Sequence, residues 1–190
     1  GLGPVARMIR GDIAYDLRDE NLENYVSILK RSGAEIFVFA GVPSNAAKVI
    51  SVAADLNWRP VFIMNQLASS IATGLRPAGL EKSVGVITAA YLKDANDPAW
   101  QDERGADWQS FLEKYRQAGG WDESAAMFGY AAAETLTQVL KQCGNDLSRE
   151  NVMKEAAALR DYQGSVLLPG IRINTGPTNF RPIRHLRLVQ

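Results

Sequence analysis

One histidine, one cysteine and no net charge narrow the possibilities for this chain of 190 residues. Cys143 alone excludes an internal disulfide and leaves the redox compartment open. With His185 as the single histidine, a zinc site built from His and Cys is excluded by count. Lys and Arg together number 21, as do Asp and Glu, so bulk electrostatics give no reason to expect nucleic acid or an anionic membrane as partner. No apolar run reaches membrane-spanning length, and no charged-then-apolar leader opens the chain. No Gly-rich phosphate loop precedes a Lys-Ser/Thr pair, and no Ser lies in a nucleophile elbow. The chain opens Gly-Leu-Gly-Pro without a Met, which reads as processing or as a piece of something longer. An apolar content of 46% and a charged content of 22% are ordinary for a globular protein with a core.

What is present centres on Ala34 to Gln66. A run of β-branched and aromatic residues, Ile36 to Phe39, stops at Ala40-Gly41. Ala46, Val49, Ile50 and Ala53 then repeat at the spacing of one buried helix face. Pro43 suits a first helical turn, and Asn57 suits the left-handed position that ends a helix. A second apolar run, Pro60 to Met64, breaks into Asn65-Gln66. Strand, helix, strand predicts a βαβ unit with parallel strands and a right-handed crossover. Both strands are apolar throughout, which predicts a sheet covered on both faces. Ligands of open parallel sheets sit beyond the strands' carboxyl ends, here Ala40, Gly41 and Val42 beside Met64, Asn65 and Gln66.

Around this unit, Ala6 to Tyr15 reads as a weak strand. Asn21 to Arg31 reads as a helix with the stripe Leu22, Tyr25, Val26, Leu29, capped by Asp19 or Asn21 and ended by Gly33. Ser69 to Leu75 is a short helix, Arg76 to Gly79 a turn and Ser83 to Ala89 a third strand. Lys93 to Pro98 is a loop whose Asp97-Pro98 opens a helix carrying Trp108, Phe111, Leu112 and Tyr115, ended by Gly119-Gly120. Asp122 caps a long helix to about Gln142 with the stripe Ala125, Phe128, Gly129, Ala132, Leu136, Val139, Leu140 and Cys143. Ser148 caps another, with Val152, Ala156 and Leu159. Val166 to Asn174 and Ile183 to Val189 read as a terminal hairpin around Thr175 to Asn179. The class is α/β, a parallel, doubly wound, flavodoxin-like sheet with flanking helices. With only three good parallel strands the sheet is incomplete, and the chain reads as cut.

Catalytic and metal constellations do not assemble. His185 reads as a half-exposed strand residue, and Cys143 as a small core residue. Asp94, Asn96, Asp97, Asp102 and Glu103 fail the calcium-loop pattern because Pro98 and Trp100 interrupt it, so they read as a solvated acidic loop. Arg10-Gly11-Asp12 matches an adhesion tripeptide by chance. Arg172, Arg181, Arg184 and Arg187 read as a solvated strand face, without the aromatic platform that nucleic acid needs. The reading is therefore a binding protein, with no cofactor and no enzyme activity.

The ordered segments DENLENYVSILKRSGAEIFVF, VISVAADLNWRPVFI, SVGVITAAY, FLEKY, AAMFGYAAAETLTQVLKQCG, LSRENV and LLPGIRINT resemble the solute-binding proteins of branched-chain amino acid type ABC transporters, which have the type I periplasmic-binding-protein fold. The resemblance implies two α/β lobes joined by three crossings with a small-molecule ligand clamped between them. It also implies a periplasmic or extracytoplasmic location and a membrane permease as partner. Such proteins are longer, and their N-terminal half has no counterpart here. Residues 1–90 then correspond to the second-lobe core, 91–163 to helices returning to the first lobe, and 164–190 to a segment crossing back, with Tyr91 at a crossing. Carried over, the ligand-binding residues are Ala40, Gly41, Val42, Met64, Asn65, Gln66 and Tyr91. Where amino-acid binders place a tyrosine and a carboxylate for the ligand's ammonium, this chain has Gly41 and Gln66. A neutral site forgoes a charge-assisted bond, so the resemblance points to an aromatic or other apolar carboxylate instead of an α-amino acid. Missing segments imply weak ligand binding by the piece itself, uncovered apolar sheet, and self-association or strand exchange. A ligand-sensing regulator or receptor domain of the same fold is the alternative.

Overall fold

The structure is a computed structural model that describes residues 3–19, 21–100, 106–120 and 122–190. The chain divides into two units, Gly1–Ala89 with Leu188–Gln190, and Ala90–Arg187.

The first unit is built on β1 (Ile36–Phe39), β2 (Val61–Asn65) and β3 (Ile87–Ala90), with β4 (Arg187–Val189) beside β3. β1, β2 and β3 run parallel, with Ile36 opposite Val61, Phe39 opposite Met64, and Met64 opposite Thr88. The crossover from β1 to β2 is α2 (Pro43–Asp55), and α1 (Leu22–Arg31) precedes β1. Pro43 occupies the first turn of α2, where its missing N–H is no loss, and Asn57 takes a φ of 53° just after its end. Phe37, Phe39, Phe62 and Met64 form one core with Leu22 and Val26 of α1 and Ala46, Val49, Ile50 and Ala53 of α2. A π-helical turn (Ile71–Leu75), α3 (Arg76–Ala78) and α4 (Leu80–Ser83) lead from β2 towards β3.

The second unit carries α5 (Asp107–Gln117), α6 (Glu123–Cys143) and α7 (Arg149–Ala156). Its core joins Trp108 and Leu112 of α5 to Met127, Val139 and Cys143 of α6 and to Leu159, Val166, Leu167, Leu168, Ile171 and Ile173. The Asp122 carboxylate accepts the Ala125 N–H at 3.0 Å and caps α6, and the Ser148 hydroxyl accepts the Asn151 N–H at 3.3 Å to cap α7.

Several sequence expectations are corrected. Residues 6–15 form no strand. Gly3–Met8 is a 3₁₀ turn and residues 9–15 are irregular, because a strand without a neighbouring edge leaves its ladder groups unpaired. Asn21 precedes α1 but makes no capping bond. The Asp19 carboxylate instead accepts the Tyr25 hydroxyl at 3.0 Å. The strands alternate in burial instead of being covered on both sides. Ile36, Val38 and Val61 stand 52%, 69% and 46% exposed, because α1 and α2 bury only the phenylalanine face. On α6 the predicted stripe is likewise half uncovered. Ala125, Gly129, Ala132, Leu136 and Leu140 lie outside the buried face, which runs through Met127, Val139 and Cys143. Pro98–Trp100 is a 3₁₀ turn, and α5 begins only at Asp107. The terminal hairpin does not form. Leu167 bridges to Leu92, Ile173 to Tyr162 and Gly176 to Asn179, since Pro169, Pro177 and Pro182 lack ladder donors and Gly170 turns at a φ of 84°. Only residues 187–189 remain as strand.

Candidate functional site

The parallel register sets Ala40 level with Asn65, one step beyond the Phe39–Met64 pair. From there the Asn65 carboxamide reaches Gly41. Its Oδ1 accepts the Gly41 N–H at 2.9 Å, and its Nδ2 donates to the Gly41 carbonyl at 3.2 Å. A side-chain amide thus continues the sheet where the backbone ladder stops, and holds the two strand ends together. Val42 leads into α2, its carbonyl accepting the Asn45 and Ala46 N–H groups at 3.1 and 3.0 Å. Ala40 and Asn65 are exposed, and Gly41, Val42 and Gln66 are half-buried.

Six of the residues read from the sequence therefore fall in the first unit, at or beside two adjoining strand ends. Met64 needs correction as a ligand contact: it is 2% exposed and belongs to the core beneath the sheet, because its place in the alternation points it at α2. Tyr91 belongs to the second unit. There it meets Phe128 edge to face at 6.0 Å, its carbonyl accepts the Leu168 N–H at 2.9 Å, and burial pushes its hydroxyl pKa up.

A residue that sequence reasoning missed as part of this site is Tyr15. Its hydroxyl donates to the Ala40 carbonyl at 3.3 Å and its ring stacks on Phe39 with centroids 5.8 Å apart and planes at 24°. The row continues beneath β1 through Phe37 to Trp58. The same N-terminal segment is tied to α2 by the Asn45 Nδ2, which donates to the Leu17 carbonyl at 3.1 Å. Gly41 is what makes room: a Cβ there would overlap the Tyr15 hydroxyl and stand 2.6 Å from the Phe39 ring. No local sequence signal marks Tyr15, since it lies in a segment without periodicity.

No charged side chain occurs among Ala40, Gly41, Val42, Asn65 and Gln66, so these residues offer amides, backbone carbonyls and apolar surface. That arrangement can hold and orient a small molecule. Among the described residues no group of His, Cys, Asp and Glu is placed to hold a metal ion, and Asp102 and Glu103 of the acidic loop lie outside them. His185 is exposed and Cys143 is buried in the second core. A shallow groove of about 690 Å³ between α1 and α2 shares no lining residue with the strand ends. No helix among the described residues is long and apolar enough to cross a membrane.

The same architecture occurs in known proteins. A family model described as a periplasmic binding protein matches residues 6–190. No curated protein matches the chain. Among solved structures, a leucine binding protein LivK from Thermotoga maritima MSB8 is 17% identical with a TM-score of 0.60, over 85% of this chain and 43% of that one. A fatty acid ABC transporter substrate-binding protein from Thermomonospora curvata is 21% identical with a TM-score of 0.62, over 83% and 39%. LivJ from Streptococcus pneumoniae, in complex with isoleucine, is 13% identical with a TM-score of 0.55, over 94% and 50%. Identities this low speak for the fold alone, and the chain spans half or less of these structures' length. With a type I fold and a family match over nearly its whole length, the chain belongs to the periplasmic binding protein family.

Proposed function

We propose that this chain is part of the extracytoplasmic solute-binding component of an ABC transporter, which holds a small organic acid reversibly between two lobes and hands it to a membrane permease. Family membership supports the transport class. The observation that carries the ligand class is the neutral strand end, where Asn65 clasps Gly41 and none of Ala40, Gly41, Val42, Asn65 and Gln66 carries a carboxylate. The relatives' ligands differ, isoleucine in one structure and a fatty acid in another's name, so membership alone leaves the ligand open. A site of amides and apolar surface favours an aromatic or other apolar carboxylate over an α-amino acid. Gly41, Val42, Asn65 and Gln66 are its second-lobe contacts, and Tyr91 lies at a crossing between lobes. Calorimetry on the full-length gene product tests this reading: phenylacetate or benzoate binds more tightly than leucine. Leucine binding more tightly than either contradicts it.

We also propose that this chain self-associates. The exposed Ile36, Val38 and Val61 are the supporting observation, since a contiguous apolar sheet face at an edge strand is a template for a second copy. Light scattering across a concentration series shows a growing mass. A constant monomer mass up to high concentration contradicts self-association.

A further inference from the structure

The mouth of the strand-end site already holds an aromatic group, and its identity is informative. Tyr15 comes from a stretch with no helix or strand, so the ring is placed by its contacts and not by a rigid element. Those contacts are Phe39 beneath the ring and the Ala40 carbonyl at the hydroxyl. At 3.3 Å the hydroxyl bond is long for O–H···O, so little is lost when it is exchanged for an equivalent partner. The slot exists because residue 41 is glycine. The Gly41 N–H and carbonyl are both committed to Asn65, while the Ala40 carbonyl, held by one long bond, is an acceptor able to change partner. An aromatic floor, a glycine wall and one carbonyl acceptor suit a ring that carries a hydrogen-bond donor at its far end.

We propose that Tyr15 is the group a solute displaces, and that the slot takes a hydroxyphenyl group in its place, which makes Tyr15 a specificity-determining residue. This rests on the solute-binding reading and sharpens its ligand class from aromatic to donor-bearing aromatic. A ring without the donor makes no bond to the exposed Ala40 carbonyl, and that one modest hydrogen bond is what a hydroxyl gains over it.

The test uses this chain and p-cresol, which is the tyrosine side chain as a free molecule, with toluene and 4-methylanisole as rings lacking the donor. Tyr15→Ala binds p-cresol about ten-fold more tightly than the wild-type chain does, and about ten-fold more tightly than it binds toluene or 4-methylanisole, each factor being one modest hydrogen bond or contact in size. Adding Gly41→Ala closes the slot and abolishes the gain, and Tyr15→Phe, which keeps the ring, shows none. A folded Tyr15→Ala that gains no p-cresol affinity, or that binds toluene equally well, overturns the proposal. If Tyr15→Ala does not fold, the wild-type chain decides: saturating p-cresol removes the Tyr15–Phe39 cross-peaks in NMR, and their persistence overturns the proposal. Success here with leucine preferred by the full-length protein contradicts the solute reading alone. Failure here with phenylacetate preferred contradicts only the role given to Tyr15.

Discussion

The two units satisfy their backbones in different ways. In the first, β1, β2 and β3 pair along a parallel ladder, and side chains add bonds to it and around it, as Asn65 does at Gly41, Thr88 at Met64 and Asn45 at Leu17. In the second, the long segment after α7 makes isolated backbone bridges in place of a continuous ladder, and side chains fasten it between them. The Thr175 hydroxyl donates to the Ala156 carbonyl at 2.7 Å and accepts the Leu159 N–H at 3.0 Å. The Asn174 carboxamide accepts the Asp161 N–H at 2.9 Å, and both Glu134 oxygens accept the Ser165 N–H, at 3.0 and 2.9 Å. Gly164 lets that carboxylate in, since a Cβ there would stand 2.7 Å from it. The first unit therefore rests its core on a continuous ladder, and the second holds its core with isolated bridges and individual polar side chains.

The largest effect is expected in the packed core of the second unit. Trp108 is fully buried in the second core, and Trp108→Ala costs about 3–5 kcal/mol. Urea unfolding followed by circular dichroism measures it, and a loss below about 1 kcal/mol would show that the second core collapses around the gap. Next comes the polar dependence. Thr175→Val keeps the shape but leaves the Leu159 N–H and Ala156 carbonyl without their partner, at a cost of about 1–3 kcal/mol. In the first unit, Thr88→Val removes a single donated bond to the Met64 carbonyl, 2.9 Å long, and costs about 0.5–1.5 kcal/mol. Equal losses would erase the contrast between the units.

Helix caps give a smaller and sharper comparison. Ser148→Ala removes a capping bond present in the second unit and costs about 0.5–2 kcal/mol. Asn21→Ala in the first unit removes no capping bond and leaves the midpoint of unfolding in place. The smallest effect is alkaline. Tyr130 and Tyr162 of the second unit have hydroxyl pKa values raised first by burial, with the Glu134 charge adding to it, and Tyr91 is raised by burial alone. A raised acid favours its neutral form in the folded state. That stability is present in full below the unfolded tyrosine value of about 10 and is lost as pH climbs through the folded values. Unfolding midpoints measured from about pH 8 to 11 are flat, then fall. A rise above about pH 10 contradicts the burial of these hydroxyls.

The elements that could be read from the sequence are those whose signal is local. Pro43 and the Ala46–Ala53 stripe marked α2, Asp122 and Ser148 marked helix starts, and the apolar runs marked β1 and β2, because each rests on residues within one or two turns of each other. The faces were not legible. Periodicity tells that Val38 and Leu136 are apolar, but it cannot tell whether anything stands opposite them, and here both are exposed. The tail misled for the same reason: Val166 to Asn174 is apolar-rich like a strand, yet its partners, Leu92 and Tyr162, are chosen by the fold. At the site, the strand-end rule located Gly41 and Asn65 without their bond. Tyr15 reaches Ala40 across 25 residues, a contact set by tertiary packing and not by spacing.

Neutral and apolar groups where β1 and β2 end are the proposed grip on the solute. Amide chemical shifts of the ¹⁵N-labelled full-length protein, titrated with phenylacetate, test that grip most directly. The largest second-lobe shifts are expected at Gly41, Val42, Asn65 and Gln66. Saturable binding that leaves those four amides unmoved would contradict it.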